Sequence, residues 1–256
     1  MDFSAVIPFC ELEPAYWLLF GANVPPLVYY TQLPNILIAL LFAFLVLFHN
    51  WRGLPNRILF GTLLSFCTWV FFNQIFWATN RGDIIMFAWL MDILVEPLVH
   101  IGIFYLLYTL IAKKDLSLWA KLLFAALYVP IPILLPTPLT LSGFDIPSCL
   151  AVEGPIALYY TYFVEGLTTF ILLIFIAARF IKTKESESRK EILLLGIGCI
   201  LFLFAFSWGN ITGSLTENWE LGQYGLFGMP LFIGFLVYSI VKFKTFHTKI
   251  FGAQAL

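Results

Sequence analysis

Three ionisable side chains, Asp92, Glu96 and His100, fall at i, i+4 and i+8 within an otherwise apolar run. On a helix that spacing drifts by only about 80° and climbs about 12 Å, so the three form one polar stripe. Glu165 stands in a second apolar run, Asn73 and Gln74 in a third, and Asn210 in a fourth. Groups of this kind turned toward hydrocarbon are strongly disfavoured, which predicts that they face one another in a common pocket. His100 is a partner for the carboxylates there. Carboxylates beside an imidazole exchange protons, and with amides nearby they can hydrogen-bond a small ligand. Three uses compete for such a cluster: an interhelical network that only holds the bundle together, a ligand- or proton-sensing site, and a transport pathway. The Asp, Glu and His spacing matches no recognised metal-ligand set, so neither metal nor cofactor is expected. No Walker loop, HExxH or GxSxG motif is present, and no catalytic residue is assigned.

The elements that must position these groups are membrane helices. Of 256 residues, 61% are hydrophobic and 11% charged, and mean hydropathy is +0.92. A soluble domain carries about 25% charged residues, so the solvent of this chain is lipid. Seven spans are predicted: Leu33–His49, Arg57–Ala78, Ile84–Ala112, Leu118–Leu135, Ile156–Ile181, Ile192–Gly213 and Tyr224–Val241. Each is close to the roughly 20 apolar residues that cross a bilayer. Pro130, Pro132, Pro136 and Pro138 crowd the end of the fourth span, which should bend or unwind there. The short apolar run Tyr16–Phe20 is interrupted by Gly21, Pro25 and Pro26 and reads as an interfacial or capping segment.

Charge sets the orientation. Of the 14 Lys and Arg residues, all but Arg81 flank one side of a seven-span arrangement, at Arg52, Arg57, Lys113, Lys114, Lys121, Arg179, Lys182, Lys184, Arg189, Lys190, Lys242, Lys244 and Lys249. The positive-inside rule puts that side in the cytoplasm and the N-terminus outside. The acidic N-tail, with Asp2, Glu11 and Glu13, lacks the basic region of a cleavable signal, so the first span is expected to act as its own insertion signal. Trp51 and Trp119 then lie at the inner boundary, and Trp77 and Trp219 at the outer one. The expected organisation is an all-α membrane protein: an external cap over residues 1–32, a seven-helix bundle over 33–241, and a cytoplasmic connector over 242–256.

Cys67 and Cys199 fall within spans and read as packing residues. Cys10 and Cys149 fall in outer segments, where an oxidising compartment permits a disulfide tying the N-tail to the longest outer loop, Pro136–Pro155. Two free thiols are the alternative. The charge run Lys182–Glu191 reads as a polar connector in which Glu185 and Arg189 pair at i, i+4. Glycines 196, 198, 209, 213, 222, 225, 228 and 234 crowd the last two spans. Close helix packing is their first explanation. A hinge is the second, with Gly228, Pro230 and Gly234 as its candidates.

Several function classes are excluded. The seventh span holds no lysine, so a retinal Schiff base cannot form there. The net charge of -1, without a long basic run, argues against nucleic acid. No internal match between halves points to an inverted-repeat transporter.

Four segments carry a resemblance: Ala22-Asn-Val-Pro-Pro-Leu-Val-Tyr-Tyr30, Asp92-Ile-Leu-Val-Glu-Pro-Leu-Val-His100, Cys149-Leu-Ala-Val-Glu-Gly-Pro155 and Phe235-Leu-Val-Tyr-Ser-Ile-Val-Lys-Phe-Lys244. Together they resemble the N-terminal seven-helix sensor region of bacterial membrane histidine kinases, over nearly the whole chain. The resemblance implies a module in the plasma membrane whose last helix runs into a cytoplasmic kinase or other transmitter, fused or separate, commonly as a homodimer. Lys242–Leu256 would begin that connection. No phospho-acceptor region or ATP-binding box precedes Leu256, and His247 is not in a kinase-like setting, so this polypeptide alone is not expected to be an enzyme. The rival expectations are a proton- or solute-coupled carrier using Glu96, His100 and Glu165, and a structural subunit of a larger membrane complex.

Overall fold

The computed structural model describes residues 10, 14–22, 24–216 and 218–243. The acidic tail positions Asp2, Glu11 and Glu13, the side chain of Asn210, and the connector from Lys244 onward, with His247 and Lys249, lie outside the described residues.

The chain is a helical, multi-pass membrane protein. Among the described residues, six helical stretches are long and apolar enough to cross a bilayer: Pro26–His49, Leu54–Ala78, Gly82–Ala112, Ile156–Lys182, Ser186–Gly213 and Trp219–Lys242. A shorter apolar stretch, Leu118–Leu134, lies between the third and fourth of these. Their outward faces are apolar: Leu41, Phe48, Phe170, Phe204 and Ile181 are all exposed, whereas Gln32, Asn73, Asp92, Glu96, His100, Glu165 and Gln223 are buried. That inversion is what a lipid solvent selects.

Helix α1 (Pro26–His49) opens on Pro26, whose fixed φ suits a first helical turn. It starts seven residues before the expected Leu33 and carries Pro34 in its interior. Residues Pro26–Gln32 therefore belong to the bundle and not to the cap. Helix α2 (Leu54–Ala78) follows a tight connection, and Asn56 Nδ2 donates to Val46 O at 2.8 Å to fasten it to the end of α1. Helix α3 (Gly82–Ala112) packs against α2 along its length and closes on Lys113, which takes the left-handed conformation at φ 54°.

The proline-rich stretch divides as its composition predicts. Helix α4 (Leu118–Tyr128), capped by Ser117, gives way after Val129 to the short α5 (Pro130–Leu134). Thr140 Oγ1 then donates to the freed Leu134 carbonyl at 2.8 Å.

The segment expected to be a loop is instead an antiparallel hairpin, β1 (Leu141–Asp145) with β2 (Leu150–Glu153). The register pairs Leu141 with Glu153 and Asp145 with Leu150, with a bulge between Leu141 and Gly143. The backbone of Gly154 lies against that of Leu139, where an added Cβ would stand 2.4 Å from the Leu139 oxygen. A six-residue π-helical segment, Ile156–Thr161, leads from the hairpin into α6 (Tyr162–Lys182).

Helix α7 (Ser186–Thr216) begins inside the expected polar connector. Glu185 precedes the helix and accepts from Ser188 Oγ, while the Arg189 guanidinium lies 4.3 Å from the Phe180 ring centroid. The predicted Glu185–Arg189 pair is thus replaced by a cation–π contact. The last apolar stretch is composite: α8 (Trp219–Gly222), a 3-10 turn (Gln223–Phe227) and α9 (Gly228–Phe243). Its glycines pack as small residues should. Gly209 meets Gly222, Gly228 meets the Ala205 side chain, and Gly225 meets the Ala205 backbone.

One large apolar core joins α1, α2, α3, α7 and α9, in which Phe66 meets Phe202 and Trp69 meets Phe206 edge-on while Phe202 stacks on Phe232. A smaller one lies beneath the hairpin and contains Cys10, Ile85, Trp89, Ile131, Leu141 and Cys149.

Candidate functional site

The stripe on α3 lies at the junction of the two cores. Asp92 and Glu96 border an internal cavity of about 50 Å³, together with Asn73 from α2, Glu153 from β2, Phe206 and Gly209 from α7, Trp219 from α8 and Gln223 from the 3-10 turn. Trp69, Trp77 and Trp89 supply much of the remaining wall. A water needs about 10–15 Å³ of such space, so the cavity has room for a few small polar molecules of water size and for no larger organic molecule.

A chain of side chains runs from the stripe to the last apolar stretch. Asp92 Oδ2 accepts from Asn73 Nδ2 at 3.5 Å, Asn73 Oδ1 accepts from Gln32 Nε2 at 2.5 Å, and the same Gln32 nitrogen donates to Gln223 Oε1 at 2.9 Å. One step farther, Asn35 Nδ2 donates to Leu226 O at 2.9 Å. Four elements distant in sequence are joined by buried amide and carboxylate groups.

On the other side of the stripe, His100 Nε2 lies 3.2 Å from Ser207 Oγ and 3.7 Å from Glu165 Oε2, and Nδ1 lies 3.4 Å from the Glu96 carbonyl. The Glu165 approach is longer than a hydrogen bond, so Ser207 is the closer partner of the ring. Glu96 interacts electrostatically with both Asp92 and Glu165. Three carboxyl groups thus share a water-poor interior with one imidazole. No Lys or Arg is among the residues described as lining the cavity. Like charges so placed repel one another. Among the described residues, Asp92 Oδ1 and Glu165 Oε1 have no hydrogen-bond partner. Proton exchange and hydrogen bonding to a small polar guest are the chemistry this arrangement offers. No group of three or more His, Cys, Asp or Glu suited to a metal occurs among the described residues.

Asp92, Glu96, His100, Glu165 and Asn73 are therefore brought together. Gln74 is not: it donates to Leu19 O at 2.8 Å, holding down the turn Tyr16–Phe20. That turn is non-helical, with Trp17 and Leu18 at positive φ. Cys10 and Cys149 are joined by a disulfide, with Cα atoms 5.6 Å apart. The bond anchors the segment before α1 to the hairpin tip. Cys10 N also donates to Asn80 O at 2.9 Å.

Among the hinge candidates, Gly228 is packed on Ala205 at the start of α9, Pro230 lies in the first turn, where proline is tolerated, and Gly234 faces open space. Gln32, Gln223, Ser207 and the Trp89–Glu153 pair, bonded Nε1 to Oε1 at 2.8 Å, were not singled out from sequence. Burial holds the Glu153 carboxyl above its usual range, and the Trp89 hydrogen bond pulls the other way.

No protein-family model matches the chain, and no curated protein matches it in sequence.

Proposed function

We propose that the chain is a sensory module of the plasma membrane, crossing it seven times with the N-terminus outside and the C-terminus in the cytoplasm, and relaying a stimulus to a cytoplasmic output domain. Leu118–Leu134 would be the short, broken fourth crossing, and the basic flanks set the orientation. The observation that carries the proposal is the hydrogen-bonded chain Asp92–Asn73–Gln32–Gln223. It ties the buried acid cluster to the 3-10 turn that opens α9, the helix that would enter the connector. A change in protonation or occupancy at the cluster then alters the partners of the last helix. The stimulus acts only to the extent that it favours one packing over the other. The output partner is a histidine kinase core or another transmitter, fused or separate, as the resemblance implies.

The test fuses a reporter kinase after Leu256 and follows its output as external pH is stepped. Output should change with pH, and Gln223→Leu should uncouple it while leaving expression intact. Output that ignores every pH step and every cluster substitution refutes the proposal.

A carrier is the second reading. It is favoured by the unpartnered oxygens of Asp92 and Glu165, which a migrating proton or solute would use. Proteoliposomes discriminate: a carrier gives flux that Glu96→Gln abolishes, and a sensor gives none.

A further inference from the structure

The central cavity is not the site with the most room. Between α6 and α7 a crevice of about 330 Å³ opens sideways onto the outer face of the helices. Phe170 and Leu173 form one wall and Phe204 the other, all three exposed. Glu165 and Ser207 belong to the same crevice. We propose that this crevice is a lateral binding site for a single-chain lipophile with a hydroxyl head, entering from the hydrocarbon and hydrogen-bonding Glu165.

Five observations carry this. Glu165 lines the crevice although it is only 4% exposed, and while Oε2 approaches His100, Oε1 has no partner among the described residues. A buried oxygen without a donor is disfavoured, and a head group that supplies one is retained for that reason. The volume falls in the range of small-molecule sites, about 300–1,000 Å³, which the central cavity does not reach. Gly166, beside the acid, leaves the entrance open: a Cβ built there meets nothing within 4 Å. Among the six long apolar stretches, the one containing α6 is also the least covered by its neighbours, with 22% of its most apolar window buried against 56% in α2 and α3. A π-helical segment lies directly before it, and such segments recur at functional sites.

The occupant's chemistry follows from the walls. Exposed phenylalanines facing hydrocarbon select an apolar tail. A hydroxyl pairs with Glu165 in either protonation state, since it both donates and accepts. An ammonium head would need the acid ionised at bilayer depth. Nothing here depends on the sensory role, and the site stands if that role fails.

The test uses the full chain in phosphatidylcholine nanodiscs and a diazirine-bearing long-chain alkanol as photoprobe. Crosslinks should map to Phe170, Leu173 and Phe204. Dodecanol should compete about tenfold better than dodecyl methyl ether, the factor expected for one hydrogen bond to a buried acceptor. Gly166→Leu fills the entrance without a clash and should lower labelling at least tenfold with an unchanged melting temperature. Thr169→Trp, on the same face, is the second blocking variant should the first not fold. Labelling indifferent to both variants, equal competition by alcohol and ether, or disulfide dimers of Phe170→Cys showing that a second copy fills the crevice would each overturn the proposal.

Discussion

The contact between Gly225 and α7 makes a sharp quantitative prediction. A Cβ at Gly225 would stand 2.0 Å from the Ala205 carbonyl oxygen, a backbone atom held in a helix. Ordinary contact needs roughly 3.5 Å, so Gly225→Ala must push the Gln223–Phe227 turn away from α7 by more than about 1 Å. Two bonds cannot survive that shift: Gln32 to Gln223 Oε1 at 2.9 Å, and Asn35 to Leu226 O at 2.9 Å. Overpacking costs about 1–3 kcal/mol and each of the two intramembrane hydrogen bonds about 0.6–2 kcal/mol, for a total of about 2–7 kcal/mol. Gly234→Ala is the control, because its added Cβ meets nothing within 4 Å. Thermal unfolding of the purified protein in detergent, followed by tryptophan fluorescence, should show a large drop for Gly225→Ala and almost none for Gly234→Ala. On the sensory proposal the first variant also silences a fused reporter. Melting of the two variants within about 1 kcal/mol of each other would refute the packing argument.

Two further outcomes follow from the outer elements. The Cys10–Cys149 disulfide closes a separation of 139 residues, and Cys10→Ser should destabilise the protein by about 2–5 kcal/mol, toward the lower end because the helices between stay confined by the bilayer. Mass spectrometry finding both thiols alkylated without prior reduction would remove the bond itself. Glu153 holds its proton to higher pH in the folded protein than in the unfolded chain, whose value is near 4.5. Its contribution to stability is therefore complete below that pH and lost as pH rises through the folded value. Trp89→Phe removes the bond that favours the carboxylate, and should move the midpoint of a pH–stability curve upward. A midpoint at or below 4.5 would contradict the burial of this group.

The acidic stripe was legible because i, i+4, i+8 spacing in an apolar run leaves a helix few other options. Asn73 joined it and Gln74 did not, since consecutive helical residues diverge by about 100° and only one can face the bundle axis. Gln32 and Gln223 lie at the margins of apolar runs, where a polar residue is unremarked, and only the fold brings them together. The hairpin was hidden by its length: strands of four or five residues give too little alternation to stand apart from a loop. Helix α1 begins seven residues before the expected Leu33 and carries Pro34 in its interior. In a bundle, neighbouring helices compensate for the missing donor. The i, i+4 pair in the polar connector failed for a simpler reason: Glu185 precedes α7, so it is not on the helical face that the rule requires.

If the bundle does switch, the distribution of burial says which element moves. Helix α3 carries the acid stripe, but it is enclosed by α2, α6, α7 and the disulfide-anchored hairpin, so displacing it would open both cores at once. The α7–α9 seam is fixed by glycine contacts that leave no slack. Helix α6 reaches the interior through only Val164, Glu165, Thr168 and Leu172 among its fully buried residues, and its acid meets His100 at a distance longer than a hydrogen bond. Of the six long apolar stretches, the one with the smallest buried share is the least costly to displace. A small shift of α6 would change the distance from Glu165 to His100, and with it the sharing of protons with Glu96 and Asp92. The amide chain through Asn73 and Gln32 would register that change at Gln223 without any large movement of α3. On this account the stimulus enters at α6 and leaves through α9, and the stripe between them works as a rigid conductor of charge, not as a moving lever.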